Sequence, residues 1–259
     1  MTAERHLAIP ILNEADSIGN TINVVERALE AGFIDSFVLL DGGSTDETLE
    51  IARARKVSVV DAAEIAPRGP VVGKGDSVSR YVNSLCDSTV VLGLVDADLG
   101  GLSPDHIRSL FEPFETVMSP VLVKADFERI DETNNPRLLR GGRITEFLVR
   151  PMLASLAPEL AILGQPLSGQ VAFRPVDCVG MRIHFGYGLE IGMLLQFHAR
   201  YGSDSILQVS WGAIKNSEKS DLELLTVARD VAEAIASECL PPASLPARSR
   251  AVARPSQEL

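Results

Sequence analysis

The sequence predicts an α/β fold in which a mostly parallel sheet carries helices on both faces. Apolar stretches of strand length alternate three times with segments whose apolar residues repeat at helical spacing, all within the first quarter of the chain. A further run, residues 90–95, is rich in Val and Leu and is typical of a strand buried on both faces of a parallel sheet. At 259 residues, the chain is long enough for one large α/β domain or two smaller ones.

The predicted elements follow one another in a regular order. In the first part, we predict strands at residues 7–12, 36–40, 57–60, 90–95 and 117–125, and helices that begin near residues 18, 47, 76 and 104. In the second part, we predict helices at 141–156, 187–201 and 221–238 and strands at 171–173 and 206–210. We expect a first half at residues 1–126, a smaller half at 127–240 and a disordered tail at 241–259.

Composition disfavours several classes of protein. No apolar run reaches the roughly 20 residues that cross a bilayer, and no secretory pattern follows Met1, so we expect a cytoplasmic protein without a membrane partner. The formal net charge of −11 disfavours binding to nucleic acid, whose affinity depends on Lys and Arg. The three cysteines lack CxxC spacing, which argues against a zinc site or a disulfide framework.

Two carboxylates follow the buried strand at residues 90–95. In an extended chain Asp96 and Asp98 point to the same side, where they can share one divalent cation. The carboxyl ends of strands are also where open α/β sheets bind their ligands. The alternative is that Asp-Ala-Asp only starts a turn, since Asp is a common turn residue.

Three further segments favour the ligand-binding interpretation. Two of them, like Asp96-Ala97-Asp98, leave the carboxyl ends of predicted parallel strands, where loops converge on one crevice. Residues 10–14 follow the first strand, and residues 41–46, Asp-Gly-Gly-Ser-Thr-Asp, follow the second. The two glycines of the second loop allow close approach of the backbone to a ligand, and Asp41 can accept a hydrogen bond from a base or a ribose. Gly73-Lys74-Gly75, just before a helix, adds a cation and exposed amide groups.

This order of motifs resembles the GT-A glycosyltransferases, in which such loops hold a nucleotide sugar and a Mg²⁺ or Mn²⁺ ion. Later segments are similar to those of the glucosyl-3-phosphoglycerate and mannosyl-3-phosphoglycerate synthases, namely Gly73–Asp76, Gly141–Glu146, Arg150-Pro151, Gln165–Gly169 and Gly186–Gly192. The similarity covers roughly residues 7–216. It implies a GT-A (Rossmann-like) fold whose first half binds the nucleotide sugar and whose smaller C-terminal half binds the acceptor and forms a homodimer.

The resemblance also implies a role for each matching residue. Besides Asp41, the donor-binding residues would be Pro10, Leu12, Glu14, Ser44, Lys74 and Asp96. The acceptor-binding residues would be Gly142, Arg143, Thr145 and Tyr187. Asp98, Lys74 and Glu190 would serve catalysis, and the metal ligands would be Asp96, Asp98 and Asn216. The acceptor assignment also makes physical sense, because a helix N-terminus with two glycines, an Arg and a hydroxyl is a good anion site.

The chain departs from the family at three positions. Ile214 and Asn216 stand where the family carries an Arg and a metal-binding His, and Gln170 stands where it carries a Glu. An Asn still offers a carbonyl oxygen to a hard cation, although it is a weaker ligand. Lys215 can supply a positive charge in place of the missing Arg, without its bidentate geometry.

The predicted function is retaining transfer of a hexose, glucose or mannose, from a UDP- or GDP-hexose to 3-phosphoglycerate or a similar phosphorylated hydroxy acid. The metal ion and the Lys74 ammonium would neutralise charge on the departing diphosphate. Two alternatives remain open, both motivated by the departures from the family. One is a GT-A enzyme with another acceptor in specialised metabolism, and the other is a non-catalytic nucleotide-sugar-binding protein.

Overall fold

A computed structural model describes residues 3–85, 89–130, 141–215, 220–240 and the backbone of 249–251. Within these ranges the strands are β1 (Glu4–Ile11), β2 (Ser36–Asp41), β3 (Val59–Asp61), β4 (Val90–Leu94), β5 (Leu122–Ile130), β6 (Val171–Phe173), β7 (Arg182–His184), β8 (Ile206–Lys215) and β9 (Ser249–Ala251). The α-helices are α1 (Ile18–Glu30), α2 (Thr48–Ala54), α3 (Gly73–Leu85), α4 (Pro104–Phe111), α5 (Arg150–Leu156), α6 (Leu189–Tyr201) and α7 (Asp221–Cys239). Among the helices described, none combines the length and the apolar character needed to cross a membrane.

The described strands form a seven-stranded mixed sheet in the order β3-β2-β1-β4-β6-β5-β8 and a separate antiparallel pair, β7 and β9. Strands β3, β2, β1 and β4 run parallel to one another, and β5 runs parallel to β8. Strand β6 lies between β4 and β5 and is antiparallel to both. The sheet is therefore mostly parallel, which confirms the predicted α/β class.

Helices cover both faces of the sheet, because successive side chains of a strand point to opposite faces. Leu7 and Ile9 of β1 pack in one apolar cluster with buried residues of α1 and α4. Ala8, which lies between them, packs in a second cluster with residues of α3, α6 and α7. Strand β4 is buried throughout and contributes to both clusters, which explains its continuous apolar sequence.

Several element boundaries differ from the sequence predictions; β5 runs from Leu122 to Ile130 rather than over 117–125, and β8 extends to Lys215 rather than ending at residue 210. Helix α3 begins at Gly73 rather than near residue 76, so Lys74 lies in its first turn. Strand β4 ends at Leu94 and residues 97–98 form a turn, so the alternation of an extended strand does not orient the two aspartates that follow. The helix predicted at 141–156 begins instead with a π-helical turn, Thr145–Val149, which leads directly into α5.

The division expected after residue 126 falls inside β5, and β6 and β8 from the later part join the same sheet as β1. Periodicity does not show which distant strands pair, so this arrangement had no local signal. Within the tail expected to be disordered, residues 249–251 form β9 beside β7, and neither strand was predicted. The rest of that tail lies outside the described ranges.

Candidate active site

The loops that follow β1 and β2 are joined by hydrogen bonds. Asn13 has a left-handed backbone, with a φ of 58°, and its side-chain oxygen accepts from the N–H of Thr45 at 2.8 Å. The N–H of Asn13 donates to the Ser44 hydroxyl at 3.1 Å. The N–H of Glu14 donates to the Thr48 hydroxyl at 2.7 Å. The two loops therefore form one side of a crevice, as expected where the ends of parallel strands converge.

Residues predicted to bind the donor differ in accessibility along this side. Leu12 exposes 52% of its surface, whereas Pro10, Glu14 and Ser44 are half-buried. Asp41 is only 4% exposed, and its carboxylate accepts from two backbone N–H groups of its own loop at 3.0 and 3.1 Å. Asp41 therefore holds the loop in shape, which differs from the expectation that it accepts a hydrogen bond from a base or a ribose.

The start of α3 forms a second side of the crevice. Ser77 lies close to the loop after β2, since a Cβ atom added at Gly42 would lie 3.5 Å from the Ser77 hydroxyl oxygen. A Cβ atom at Gly73 would lie 3.3 Å from the Cα atom of Gly186, just before α6. Gly75 is so close to the backbone carbonyl of His184 that no side chain fits there. These close approaches place the first turn of α3 between the β2 loop and the start of α6.

Lys74 is the centre of an ionic cluster in this crevice. Its ammonium nitrogen lies 2.5 Å from Asp96 Oδ1 and 2.8 Å from Glu190 Oε1. Burial lowers the pKa of Lys74, but the charges of the two carboxylates outweigh this effect and raise that pKa above its ordinary value. Lys74 is therefore positively charged at neutral pH and is held between two carboxylates from different elements.

The segment before β6 supports this cluster. Gln170 accepts from the backbone N–H of Asp96 at 3.0 Å and donates through Nε2 to Asp96 Oδ2 at 2.9 Å. Gly169 faces the cluster directly, since a Cβ atom there would lie 2.7 Å from both Asp96 Oδ2 and Lys74 Nζ. Any larger residue at position 169 would displace the ion pair.

A second lysine lies behind the same segment. Lys124 of β5 is 1% exposed and donates to the carbonyl oxygen of Ser168 at 2.8 Å. Together with Gly169 and Glu190, it lines a small, otherwise mostly apolar cavity. Burial lowers the pKa of Lys124 to about 8; the negative charge of Glu190 opposes this shift, and the positive charge of Lys74 adds to it.

The described residues test the expected metal site in part. Asp96 and Asp98 follow β4 and are half-buried, and carboxylate oxygens are the hard ligands that Mg²⁺ and Mn²⁺ prefer. Both carboxylate oxygens of Asp96 are bonded, one to Lys74 and one to Gln170, and each oxygen has a second lone pair through which it could also contact a cation. Within the described ranges, no group of three His, Cys, Asp or Glu residues is arranged to hold a metal. Asn216, the third expected ligand, lies outside those ranges.

The predicted acceptor residues lie around the π-helical turn before α5. Gly142 has a φ of 83°, and Arg129 Nη1 would lie 3.3 Å from a Cβ atom added there. Arg143 is exposed and pairs with Asp221, the first residue of α7, at 2.6 Å. Thr145 is only 1% exposed, which differs from the expectation of a hydroxyl presented to a ligand.

Tyr187 connects this region to the ionic cluster. It is 38% exposed, and its backbone N–H donates to Asp230 of α7 at 3.3 Å. Residues 221–230 of α7 span about 14 Å along the helix axis, so Arg143 and Tyr187 contact α7 at well separated points. Glu190 follows Tyr187 by one helical turn and reaches Lys74. Helix α7 thus joins the predicted acceptor segment to the ionic cluster.

One departure from the family, Ile214, and its neighbour Lys215 lie at the end of β8. Ile214 is fully buried in an apolar cluster, so its side chain cannot serve as a polar contact for a ligand. Lys215 pairs through its backbone with Gly100, and the two N–H···O distances are 3.0 and 2.9 Å. This pairing places the backbone of Lys215 beside the turn that carries Asp98.

Sequence reasoning missed Lys124 and identified Gln170 only as a departure from the family. A signal for Lys124 was present, since a lysine inside the apolar run 121–125 is unusual on a buried strand without a partner. The sequence carries no signal for the contact between Gln170 and Asp96. The two residues are 74 positions apart, and the contact forms only because β6 lies beside β4.

The arrangement can bind and stabilise a negatively charged group. The Lys74 ammonium lies in a partly buried crevice near Asp96 and Asp98, two carboxylates suited to a divalent metal. This arrangement favours a ligand that develops negative charge, such as a departing diphosphate. The exposed Leu12 and the joined loops after β1 and β2 offer room for an attached nucleotide.

Comparisons with known proteins agree with this geometry. No family model matches the chain. A glucosyl-3-phosphoglycerate synthase from Mycolicibacterium smegmatis is 34% identical over 235 residues, which cover 90% of this chain and 77% of that protein. A crystal structure of glucosyl-3-phosphoglycerate synthase from Mycobacterium tuberculosis with Mn²⁺, UDP-glucose and phosphoglyceric acid superposes with a TM-score of 0.82 at 33% identity, covering 93% of this chain and 81% of that one.

A second structure of the Mycobacterium tuberculosis enzyme, with Mg²⁺ and UDP, gives the same TM-score of 0.82 at 33% identity, with 93% of this chain and 81% of that chain covered. The similarity spans both the loops after β1 and β2 and the region of α5 to α7. It therefore includes the predicted acceptor segment, which a relative sharing only the first half would lack. This chain belongs to the glucosyl-3-phosphoglycerate synthase family of GT-A glycosyltransferases.

Proposed function

We propose that this chain transfers the glucosyl group of UDP-glucose to 3-phosphoglycerate, with retention at the anomeric carbon. The observation that carries the proposal is the Lys74 ammonium, held between Asp96 and Glu190 beside the loops after β1 and β2. The ligands of the Mycobacterium tuberculosis structures support uridine and glucose as the donor components and phosphoglycerate as the acceptor.

The loops after β1 and β2 bind the uridine nucleotide. Pro10 and the exposed Leu12 offer apolar surface to the base, and Glu14 and Ser44 offer polar groups beside it. Asp41 acts through the backbone, because its carboxylate fixes the glycine-containing turn against which the nucleotide lies.

Lys74 and the aspartates serve the departing diphosphate. When the bond from the anomeric carbon to the diphosphate oxygen breaks, the electron pair remains on that oxygen, and the Lys74 ammonium stabilises the charge. Glu190 holds the ammonium in position from the opposite side. A Mg²⁺ or Mn²⁺ ion held by Asp96, Asp98 and Asn216 would supply further positive charge.

The acceptor binds between the start of α5 and Tyr187. Arg143 and the backbone N–H groups that follow Gly142 suit a phosphate, which would compete with Asp221 for the guanidinium. Thr145 is buried and serves by holding the helix start in place. Tyr187, which is 38% exposed and precedes Glu190 by three residues, is available to contact the acceptor.

The chain acts as a cytoplasmic homodimer that associates through its second half. Phe147 of the π-helical turn is 72% exposed, and Leu222 and Leu225 of the neighbouring α7 are 77% and 69% exposed. Clustered exposed apolar side chains are typical of an interaction surface. Light scattering should give a dimer mass for the wild type and a monomer mass for Leu225→Asp; identical masses would contradict this interface.

A donor and acceptor screen tests the proposed reaction. The protein is incubated with UDP-glucose, GDP-glucose or GDP-mannose, 3-phosphoglycerate and Mg²⁺ or Mn²⁺, and products are identified by mass. We expect glucosyl-3-phosphoglycerate from UDP-glucose. Lys74→Met should lower its rate at least ~100-fold, because a charge-stabilising group is lost, whereas the exposed control Lys56→Met should not.

Two other outcomes would overturn the proposal. Hydrolysis of UDP-glucose without glucosyl-3-phosphoglycerate would indicate an enzyme with another acceptor. Tight binding of UDP-glucose in calorimetry without turnover under either metal would indicate a non-catalytic nucleotide-sugar-binding protein.

A further inference from the structure

The turn formed by residues 168–170 touches the ionic cluster on one side and strand β5 on the other. Towards the cluster, Gln170 bonds both the backbone and the side chain of Asp96. Towards β5, the turn accepts hydrogen bonds from the Lys124 ammonium and from the N–H of Ala125. We propose that Gln170 and Lys124 are positioning residues for glucosyl transfer, which act through this turn to hold Asp96 in the orientation that receives Lys74.

Two hydrogen bonds between Gln170 and Asp96 fix the orientation of the Asp96 side chain. With its backbone N–H bound at 3.0 Å and its Oδ2 atom bound at 2.9 Å, the Asp96 side chain cannot rotate without breaking the second bond. Its remaining oxygen, Oδ1, is thereby turned towards Lys74 Nζ at 2.5 Å. The orientation of the ion pair is therefore set by an uncharged side chain that is itself only 1% exposed.

Lys124 holds the turn from behind. The Lys124 ammonium donates to Ser168 O at 2.8 Å, and the N–H of Ala125 donates to Gln170 O at 2.9 Å. Strand β5 therefore binds the first and the last residue of the three-residue turn. A lysine that is 1% exposed among mostly apolar residues is costly to keep charged, and Glu190 lines the same small cavity. This shared cavity places the buried amine next to the cluster that Gln170 orders.

The identity of residue 170 matters because a glutamine both accepts and donates. An ionised carboxylate at this position could accept from the Asp96 N–H but could not donate to Asp96 Oδ2, and it would repel that oxygen. In this chain the neutral amide lets Asp96 keep a fixed orientation while Lys74 pairs with the other carboxylate oxygen. The proposal rests on the proposed transfer reaction, which supplies the step whose rate the positioning affects.

Variants at the two positions, with a matched control, test the proposal. Gln170→Met and Lys124→Met remove the bonds with little change of volume. Gln196→Met is the control, because Gln196 also binds one residue twice, accepting from the N–H of Arg182 and donating to its carbonyl, both at 2.6 Å, but lies away from the cluster. Initial rates give kcat, the KM for UDP-glucose and the Mg²⁺ concentration at half-maximal rate, and melting temperatures report folding.

We expect Gln170→Met to lower kcat by about 10- to 100-fold, the range seen when a supporting partner of an active-site ligand is lost. The KM for UDP-glucose should change less than kcat, and Gln196→Met should keep wild-type kcat at a similar melting temperature. The double variant Gln170→Met/Lys124→Met should be no slower than the slower single variant, because both act through one turn. Equal kcat for Gln170→Met and Gln196→Met, or fully additive losses in the double variant, would overturn the proposal.

The wild-type control separates this inference from the proposed reaction. If the wild type makes no product, the proposed function fails, and UDP affinity in the presence of Mg²⁺, measured by calorimetry, becomes the readout for positioning. In that case Gln170→Met should bind UDP more weakly than Gln196→Met does, and equal affinities would overturn the proposal.

Discussion

Arg80 and Asp76 lie one turn apart in α3 and form an ion pair whose two side chains are 4% and 1% exposed, with Arg80 Nη2 lying 2.9 Å from Asp76 Oδ2. Arg80 also donates to three backbone carbonyls of the loop that precedes α3, at 2.8 to 3.1 Å. Asp76 accepts from the N–H of Val72 at 3.0 Å. This pair therefore fastens the loop to the helix that carries Lys74.

Removing the arginine should destabilise the protein strongly. Arg80→Met leaves the Asp76 carboxylate buried without its cation and the loop carbonyls without donors, so we expect the free energy of unfolding to fall by about 3–5 kcal/mol. Urea denaturation measures the change. The control Arg68→Met removes an ion pair between Arg68 and Glu64, whose side chains are 78% and 73% exposed. Its free energy of unfolding should fall by less than about 1 kcal/mol. Similar losses for the two variants would contradict this account of the loop.

Chelation and Asp98 substitution should both abolish transfer. EDTA should stop product formation by the wild type, and added Mg²⁺ or Mn²⁺ should restore it, because the metal supplies positive charge for the diphosphate. Asp98→Ala should lose activity while keeping the circular dichroism spectrum and melting temperature of the wild type. Asp105→Ala, which changes an exposed aspartate in α4, is the control. Unchanged turnover of Asp98→Ala would refute a metal role for this residue.

The Arg143 guanidinium should matter for acceptor affinity more than for turnover. Arg143→Gln removes a charge-assisted contact to the phosphate, so the KM for 3-phosphoglycerate should rise about 10-fold or more while the KM for UDP-glucose stays the same. Arg182→Gln is a matched control, since Arg182 is 44% exposed and pairs with Glu238 at 3.1 Å, as Arg143 is 45% exposed and pairs with Asp221. If both variants have the same KM for 3-phosphoglycerate, the assignment of Arg143 to the acceptor site is wrong.

The buried Lys124 should make stability depend on pH in the alkaline range. Its pKa is about 8 in the folded protein and 10.5 as the ordinary value, so between these pH values the unfolded chain binds more protons than the folded chain. The contribution of Lys124 to the free energy of unfolding therefore rises as the pH increases from about 8 to 10.5, and it falls as the pH decreases towards 8. Urea unfolding should show that the wild type gains about 2 kcal/mol relative to Lys124→Met between pH 8 and pH 10. A constant difference between the two proteins would contradict a lowered pKa.

Much of the fold could be predicted because its signals are local. The alternation of strand and helix in the first part and the helix start at Ser103-Pro104 both appear in the chain as short patterns. The convergence of the loops that carry Glu14, Ser44 and Asp96 followed from a general property of parallel sheets, whose carboxyl ends meet at one edge.

The rest could not be predicted because it depends on contacts between distant residues. That β6 enters the sheet between β4 and β5 is decided by packing, and it brings Gln170 to Asp96. Burial likewise decided the roles of Asp41 and Thr145, since a sequence motif does not state whether a side chain faces a ligand or its own backbone.

By itself, the sequence determined the α/β class, the glycine-containing loop after β2 and the acidic pair after β4, because each follows from patterns among residues close together in the chain. Only the tertiary structure decided that Lys74 is held between two carboxylates and that Gln170 and a buried Lys124 support this arrangement from behind. The physical reason is that the charge and orientation of a side chain depend on which distant groups surround it and exclude water, and those groups come together only when the strands pair.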